Sequence, residues 1–175
     1  MILYHGSCSH FDKIDLSKGR KFKDFGQGFY TTKIESQARQ WANNMSARFG
    51  STPGYVSIYD CDENLFKNVK YLKFDEPTEK WAYFIMNNRN NGFTDYDMQS
   101  DPLHTINNQR NQFDIVEGPV ANDAIAVVLD QFMMNMKSGT ALVEALEYKN
   151  LSHQISFHTE KGISLLKKVG HYEVG

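Results

Sequence analysis

A mixed α+β fold is what this sequence predicts, and three observations carry the prediction. Short runs with period-two alternation, such as "GYVSIYDCD" at 54–62, are interleaved with longer runs of helical spacing. Glycine, proline and asparagine punctuate the boundaries between them. No internal repeat and no linker separates the elements, so strands and helices share one core. With 175 residues, 41% apolar and 13% aromatic, the chain can bury a sizeable core as a single domain over residues 1–175.

The elements follow in order. "ILYHGS" is a short apolar run closed by Gly-Ser, a first strand. Residues 11–27, polar and glycine-punctuated, read as a long loop. "GFYTT" has the aromatic and β-branched content of a second strand. Thr32 and Glu35 then match a capping box, and a helix over 34–49 is expected to bury Ala38, Trp41, Ala42 and Met45. In the strand at 54–62, Val56 and Ile58 alternate with Ser57 and Tyr59. Pro77 suits the start of a helix over 76–89 that buries Trp81, Phe84 and Ile85. The Asn/Gln-rich residues 87–112 read as a long surface loop or an irregular helical insertion.

"FDIVEGPV" is another strand, stopped by Gly118-Pro119. Two helices, 123–138 and 140–150, are expected to join at Gly139, with "FMMNMK" as ordinary helix packing. "QISFHT" is a late strand, and residues 160–169 read as a short closing helix.

Composition excludes several classes of function. A net charge of −2 gives no general attraction to nucleic acid or anionic membranes, although a local basic patch is not excluded. Cys8 and Cys61 do not make a disulfide framework, and no Cys/His spacing reads as a zinc or other metal site. The first ten residues lack a basic region followed by an apolar run, so no secretory signal is expected. No window approaches the roughly 18 apolar residues of a membrane span. A cytoplasmic protein with reduced thiols is expected, with any delivery to another cell using a route not encoded here.

The stretch "KDFGQGFYTT" at 23–32 admits three readings. As a kinase Asp-Phe-Gly it fails, because the glycine-rich loop, strand lysine and His-Arg-Asp loop are missing. As a phosphate loop it fails too, since neither glycine fingerprint occurs and Gly26-Gln27-Gly28 precedes a strand instead of opening a helix. A tight turn into a strand remains. Alternation there sends Phe29 and Thr31 one way and Tyr30 and Thr32 the other. The same rule sets Gln154, Ser156 and His158 opposite Ile155 and Phe157, so three strands could offer His5, Tyr30 and Gln154 to one cleft. Taken singly, a strand-ending residue such as His5 is usually a partly buried hydrogen-bonded one, Tyr30 is more often a core residue and Arg20 more often a solvated one.

"LYHGS", "DFGQGFYTT", "QARQWA", "FDIVEGPVAND" and "QISFHTEKG" together resemble a bacterial family of ADP-ribosyltransferase-like proteins catalogued largely as a domain of unknown function. The resemblance covers nearly the whole chain and is weakest around 90–111. It implies an ADP-ribosyltransferase-like split β-sheet core with flanking helices, gripping NAD in a cleft between two small sheets. It further implies a mono-ADP-ribosyltransferase that cleaves the nicotinamide–ribose bond and passes ADP-ribose to an unknown acceptor, whether protein, nucleic acid or small molecule. A toxin or effector role, with an antitoxin or other regulatory partner, belongs to the same implication.

Carried over, the catalytic set is His5, Tyr30 and Gln154. His5 would hydrogen-bond the adenosine ribose, the Gly6 backbone would meet the nicotinamide amide, and Tyr30 would stack on the nicotinamide ring. Phe29 is counted with Tyr30 among the NAD-contacting residues, and Arg20 is the candidate for the pyrophosphate. Gln154 departs from the glutamate of the superfamily: it keeps an acceptor and loses the charge. Either Gln154 supports slow turnover, or another acid such as Glu160 serves, or the fold is a non-catalytic module for NAD or ADP-ribose.

Overall fold

The computed structural model describes residues 1–90, 106–121, 123–133 and 152–175. Its strands and helices run β1 (Ile2–Ser7), β2 (Phe29–Thr31), α1 (Glu35–Phe49), β3 (Gly54–Cys61), β4 (Tyr71–Lys73), α2 (Glu79–Arg89), β5 (Ile115–Pro119), α3 (Asp123–Met133), β6 (His153–Phe157), α4 (Glu160–Ile163) and β7 (Leu166–Val174). The fold is α+β. Two sheets carry it, an antiparallel one of order β1-β3-β7 and a four-stranded one of order β2-β6-β5-β4 in which only β4 and β5 pair in parallel. A bridge joins them: Tyr4 and Thr32 exchange backbone N–H···O bonds of 2.9 Å in both directions.

Period-two alternation then fills three apolar layers. Leu3 and Tyr59 from one sheet meet Phe29, Ile155 and Phe157 from the other. On the far face of the larger sheet, Tyr30 and Val116 pack against Trp81, Phe84 and Ile85 of α2 and Ile125 and Leu129 of α3. On the far face of the smaller sheet, Ala38 and Ala42 of α1 pack on Val56 and Val174. Both faces of β6 are therefore covered. Ser156 and His158 are buried as completely as Ile155 and Phe157.

Several local expectations change. Ile34, not Thr32, caps α1; Thr32 Oγ1 accepts from the Ile34 N–H and donates to Gln37 Oε1, while Glu35 accepts from the Tyr172 hydroxyl. The buried stripe of α1 is Ala38, Ala42 and Ser46, and Trp41 is 42% exposed. In β3, Val56 is buried as expected, but so are Ser57 and Tyr59, while Ile58 is half-buried at an irregularity in the pairing with β7. Thr78 caps α2, which places Pro77 just before the helix, and Trp81, Phe84 and Ile85 are buried as expected. β5 takes in Gly118 and ends at Pro119, where the strand was expected to stop.

The closing helix is confined to four residues, and the rest of that segment is the nine-residue β7, whose exposure alternates along most of its length. Central strand β3 requires a partner on its second edge, and β7 supplies it. Among residues 106–112 the chain is irregular but tied down, with the Asn108 N–H donating to Asn88 Oδ1 at 2.7 Å. The expected helix over 140–150, its joint at Gly139 and the end of the helix before it lie outside the described residues. No helix among the described residues is long and apolar enough to cross a membrane.

Candidate functional site

The loop leading into β2 organises the site. Its backbone turns at Gly26, whose φ of +91° suits a residue without a Cβ. The turn clamps the Tyr30 phenol, which donates to the Gly26 carbonyl at 2.6 Å and accepts from the Phe25 N–H at 3.1 Å. Burial, reinforced by the nearby Asp24 carboxylate, raises this phenol well above its ordinary range. Tyr30 is therefore a fixed, neutral ring.

Tyr30 and Gln154 line one pocket, together with Tyr4, Gly6, Thr31 and Trp41. It lies beside the bridge between the sheets and is closed on one side by α1. A Cβ on Gly6 would stand 2.1 Å from the Ala38 carbonyl oxygen and 2.8 Å from the Ala42 nitrogen. Glycine at position 6 is thus required by the close passage of α1 over β1, whatever a ligand needs there. Gln154 is 5% exposed, and its Nε2 donates to Asp24 Oδ2 at 3.4 Å. The Lys23 ammonium lies over two rings of this pocket, 5.2 Å from the centroid of Tyr30 and 5.0 Å from that of Trp41. Burial lowers the Lys23 pKa, with the Arg20 and Arg89 cations adding to the effect and Asp24 opposing it.

His5 does not share this pocket. Alternation along β1 sends Tyr4 and Gly6 to the pocket and His5 away, so the expectation of one cleft holds for Tyr30 and Gln154 only. The His5 ring stacks on Phe29 at 4.2 Å and meets Phe11 edge-on at 5.7 Å. With Phe29 it lines a second depression whose rim carries Lys13, Asp15 and Lys18. His5 Nδ1 lies 2.7 Å from the Tyr30 carbonyl oxygen. A carbonyl only accepts, so Nδ1 bears the proton and Nε2 is left as an acceptor. Burial holds the ring neutral, lowering its pKa to about 4 against the opposing pull of that hydrogen bond.

Arg20 is exposed, with its guanidinium over the Phe49 ring at 5.6 Å, and lines neither depression. Glu160 is exposed at the start of α4 and lines neither one either. Among the described residues, no cluster of three or more His, Cys, Asp or Glu could hold a metal ion.

Three residues at the pocket are not singled out by sequence reasoning. Helical spacing assigns Trp41 to the buried stripe, and the glycines of 23–32 draw attention away from Lys23 and Asp24. The signal for them is the pairing of charge and aromatic groups in "KDFGQGFY", which becomes interpretable only once β6 is placed beside β2.

No curated protein and no solved structure matches this chain. The match that is found runs over residues 1–168, and on it the chain belongs to the family described as "Protein of unknown function (DUF3990)".

Proposed function

We propose that this protein is an NAD-dependent mono-ADP-ribosyltransferase of the ADP-ribosyltransferase-like fold, with nicotinamide against Tyr30 and its ribose facing Gln154. The observation that carries the reading is the shared pocket of Tyr30, Trp41 and Gln154, whose two aromatic rings have the Lys23 ammonium over them. The nicotinamide of oxidised NAD is a flat cationic ring that takes the place of the Lys23 ammonium on these aromatic faces, releasing Lys23 toward the pyrophosphate. Gln154 Oε1 offers an acceptor to a sugar hydroxyl, a hydrogen bond that strengthens as the ribose acquires oxocarbenium character. In the reaction, the bond between the ring nitrogen and ribose C1′ breaks, and both its electrons leave with neutral nicotinamide. The acceptor then forms a bond to C1′ and loses a proton.

His5 takes the adenosine ribose through its bare Nε2, with Phe29 beneath it, and Lys23 supplies a cation for the pyrophosphate, a role that Arg20 over Phe49 could share only by leaving that ring. The acceptor is a protein, nucleic acid or small molecule, and a toxin or effector of this kind works alongside an antitoxin or regulator. A second reading rests on the uncharged Gln154: a module that binds NAD or ADP-ribose without turnover. Incubating the protein with labelled NAD and cell lysate separates the two. Nicotinamide release with label on an acceptor, both lost in Tyr30→Ala and Gln154→Ala, is the outcome expected of the transferase. Binding without release selects the non-catalytic module, and neither binding nor release removes both.

A further inference from the structure

Gln154 lacks the negative charge that an oxocarbenium-like centre would use, yet a carboxylate stands directly behind it. Asp24 Oδ2 accepts from Gln154 Nε2 at 3.4 Å and from the Ala121 N–H at 3.4 Å. Asp24 Oδ1 is gripped by Arg89, through Nε at 3.0 Å and Nη2 at 2.7 Å. With both oxygens engaged and its side chain only 15% exposed, Asp24 is fixed in place. Only the NH₂ group of an amide can donate to a carboxylate, so this contact also decides which way Gln154 faces. Its Oε1, the other end of the amide, makes no hydrogen bond among the described residues.

We propose that Asp24 is the positioning residue of this pocket, a proposal that rests on the NAD reading. It holds the Gln154 amide with its oxygen presented to the ligand, and it supplies from one side chain away the charge that Gln154 does not carry. The charged and titratable groups facing this point are Asp24 and Lys23 from the loop, Arg89 from α2 and Tyr30 from β2.

The test moves the charge. Three variants are compared, Asp24→Asn, Gln154→Glu and the double variant that exchanges carboxylate and amide, with thermal unfolding to show that each folds. Should Asp24→Asn fail to fold because Arg89 is stranded, Asp24→Asn/Arg89→Met takes its place. The first readout needs no ligand: the pH titration, by ¹³C NMR, of the carboxyl that Gln154→Glu introduces. With Asp24 present this new carboxyl should titrate above the ordinary glutamate value of about 4.3, because two adjacent carboxylates resist ionising together. In the double variant its pKa should fall by about one unit or more.

The second readout is nicotinamide release from NAD alongside NAD affinity. Asp24→Asn should lower release by about 10- to 100-fold while affinity changes by less than about threefold, and the double variant should recover at least about tenfold. An introduced carboxyl that titrates identically with and without Asp24, or an Asp24→Asn protein as fast as the parent, overturns the proposal. If the parent protein releases no nicotinamide, the transferase reading is what fails. The titration alone then decides whether Asp24 governs position 154.

Discussion

The two sides of the β1–β2 seam use neighbouring residues for opposite chemistry. On the side of Tyr30 and Gln154, the groups are polar and tightly bonded: a phenol clamped by backbone, an amide on a carboxylate, a carboxylate on a guanidinium. On the side of His5 and Phe29, the contacts are ring on ring, and the polar anchor of His5 is one backbone carbonyl. Alternation thus divides the seam into an electrostatically prepared pocket and an aromatic shelf, although adjacent residues build both.

Acidification is expected to strike both sides at once and to give the largest effect. Burial pulls His5 on the shelf down to about 4, and it pulls His158 down to about 4 behind the pocket, where His158 Nδ1 donates to the Gln27 carbonyl at 2.8 Å. Both folded values lie below the ordinary 6.5, so the unfolded chain binds more protons between the two values. Stability is therefore full above about pH 6.5 and is lost as pH falls toward 4, approaching about 3 kcal/mol for each ring. Denaturant unfolding across this range should show the slope, and His5→Phe or His158→Asn should each remove about half of it. An unchanged slope in both variants would assign the acid sensitivity elsewhere.

Next in size is Gly6→Ala. The added methyl would meet the Ala38 and Ala42 backbone, so α1 must move off β1, at a cost near the upper end of overpacking, about 3 kcal/mol. A drop in melting temperature with a weakened pocket is expected, and a fully stable variant would show that the helix passes less closely. Tyr30→Phe comes third. It strands the Gly26 carbonyl and Phe25 N–H, which should destabilise by about 1–3 kcal/mol while sparing the aromatic shelf. Thermal unfolding measures the first effect, and the ring resonances of His5 and Phe29 report the second. Smallest is Trp41→Ala, which at a 42% exposed position should shift stability by less than about 0.5 kcal/mol. On the proposed NAD reading its effect belongs in titrations with NAD, where losing one ring should weaken binding by about fivefold.

How far the sequence reveals this arrangement depends on the range of the contacts. Tyr30 and Gln154 are legible because alternation is local and their strands are marked by composition. Trp41 is misplaced when a helical stripe is read by hydrophobicity alone. Gly6 admits the helix backbone itself, so the face against the sheet must carry small residues, and Ala38, Ala42 and Ser46 win over Trp41. Leu165 and Leu166 beside two lysines mimic an amphipathic turn, yet the open edge of β3 draws Leu166–Val174 into a strand. Asp24 is illegible for another reason: nothing near it in the chain foretells Gln154 as its partner.

That separation has a consequence for how the protein assembles. Asp24 meets Gln154 across 130 positions, and Gln27 meets His158 across 131. Contacts so distant along the chain carry the entropy of closing a very long loop, and they form only after nearer contacts have narrowed the search. The loop before β2 is therefore expected to settle only once β6 is in place. During folding, a chain with its first strands already paired would still carry an unclamped loop and an unfinished pocket, so the Asp24–Gln154 contact should be among the last to emerge in a refolding time course.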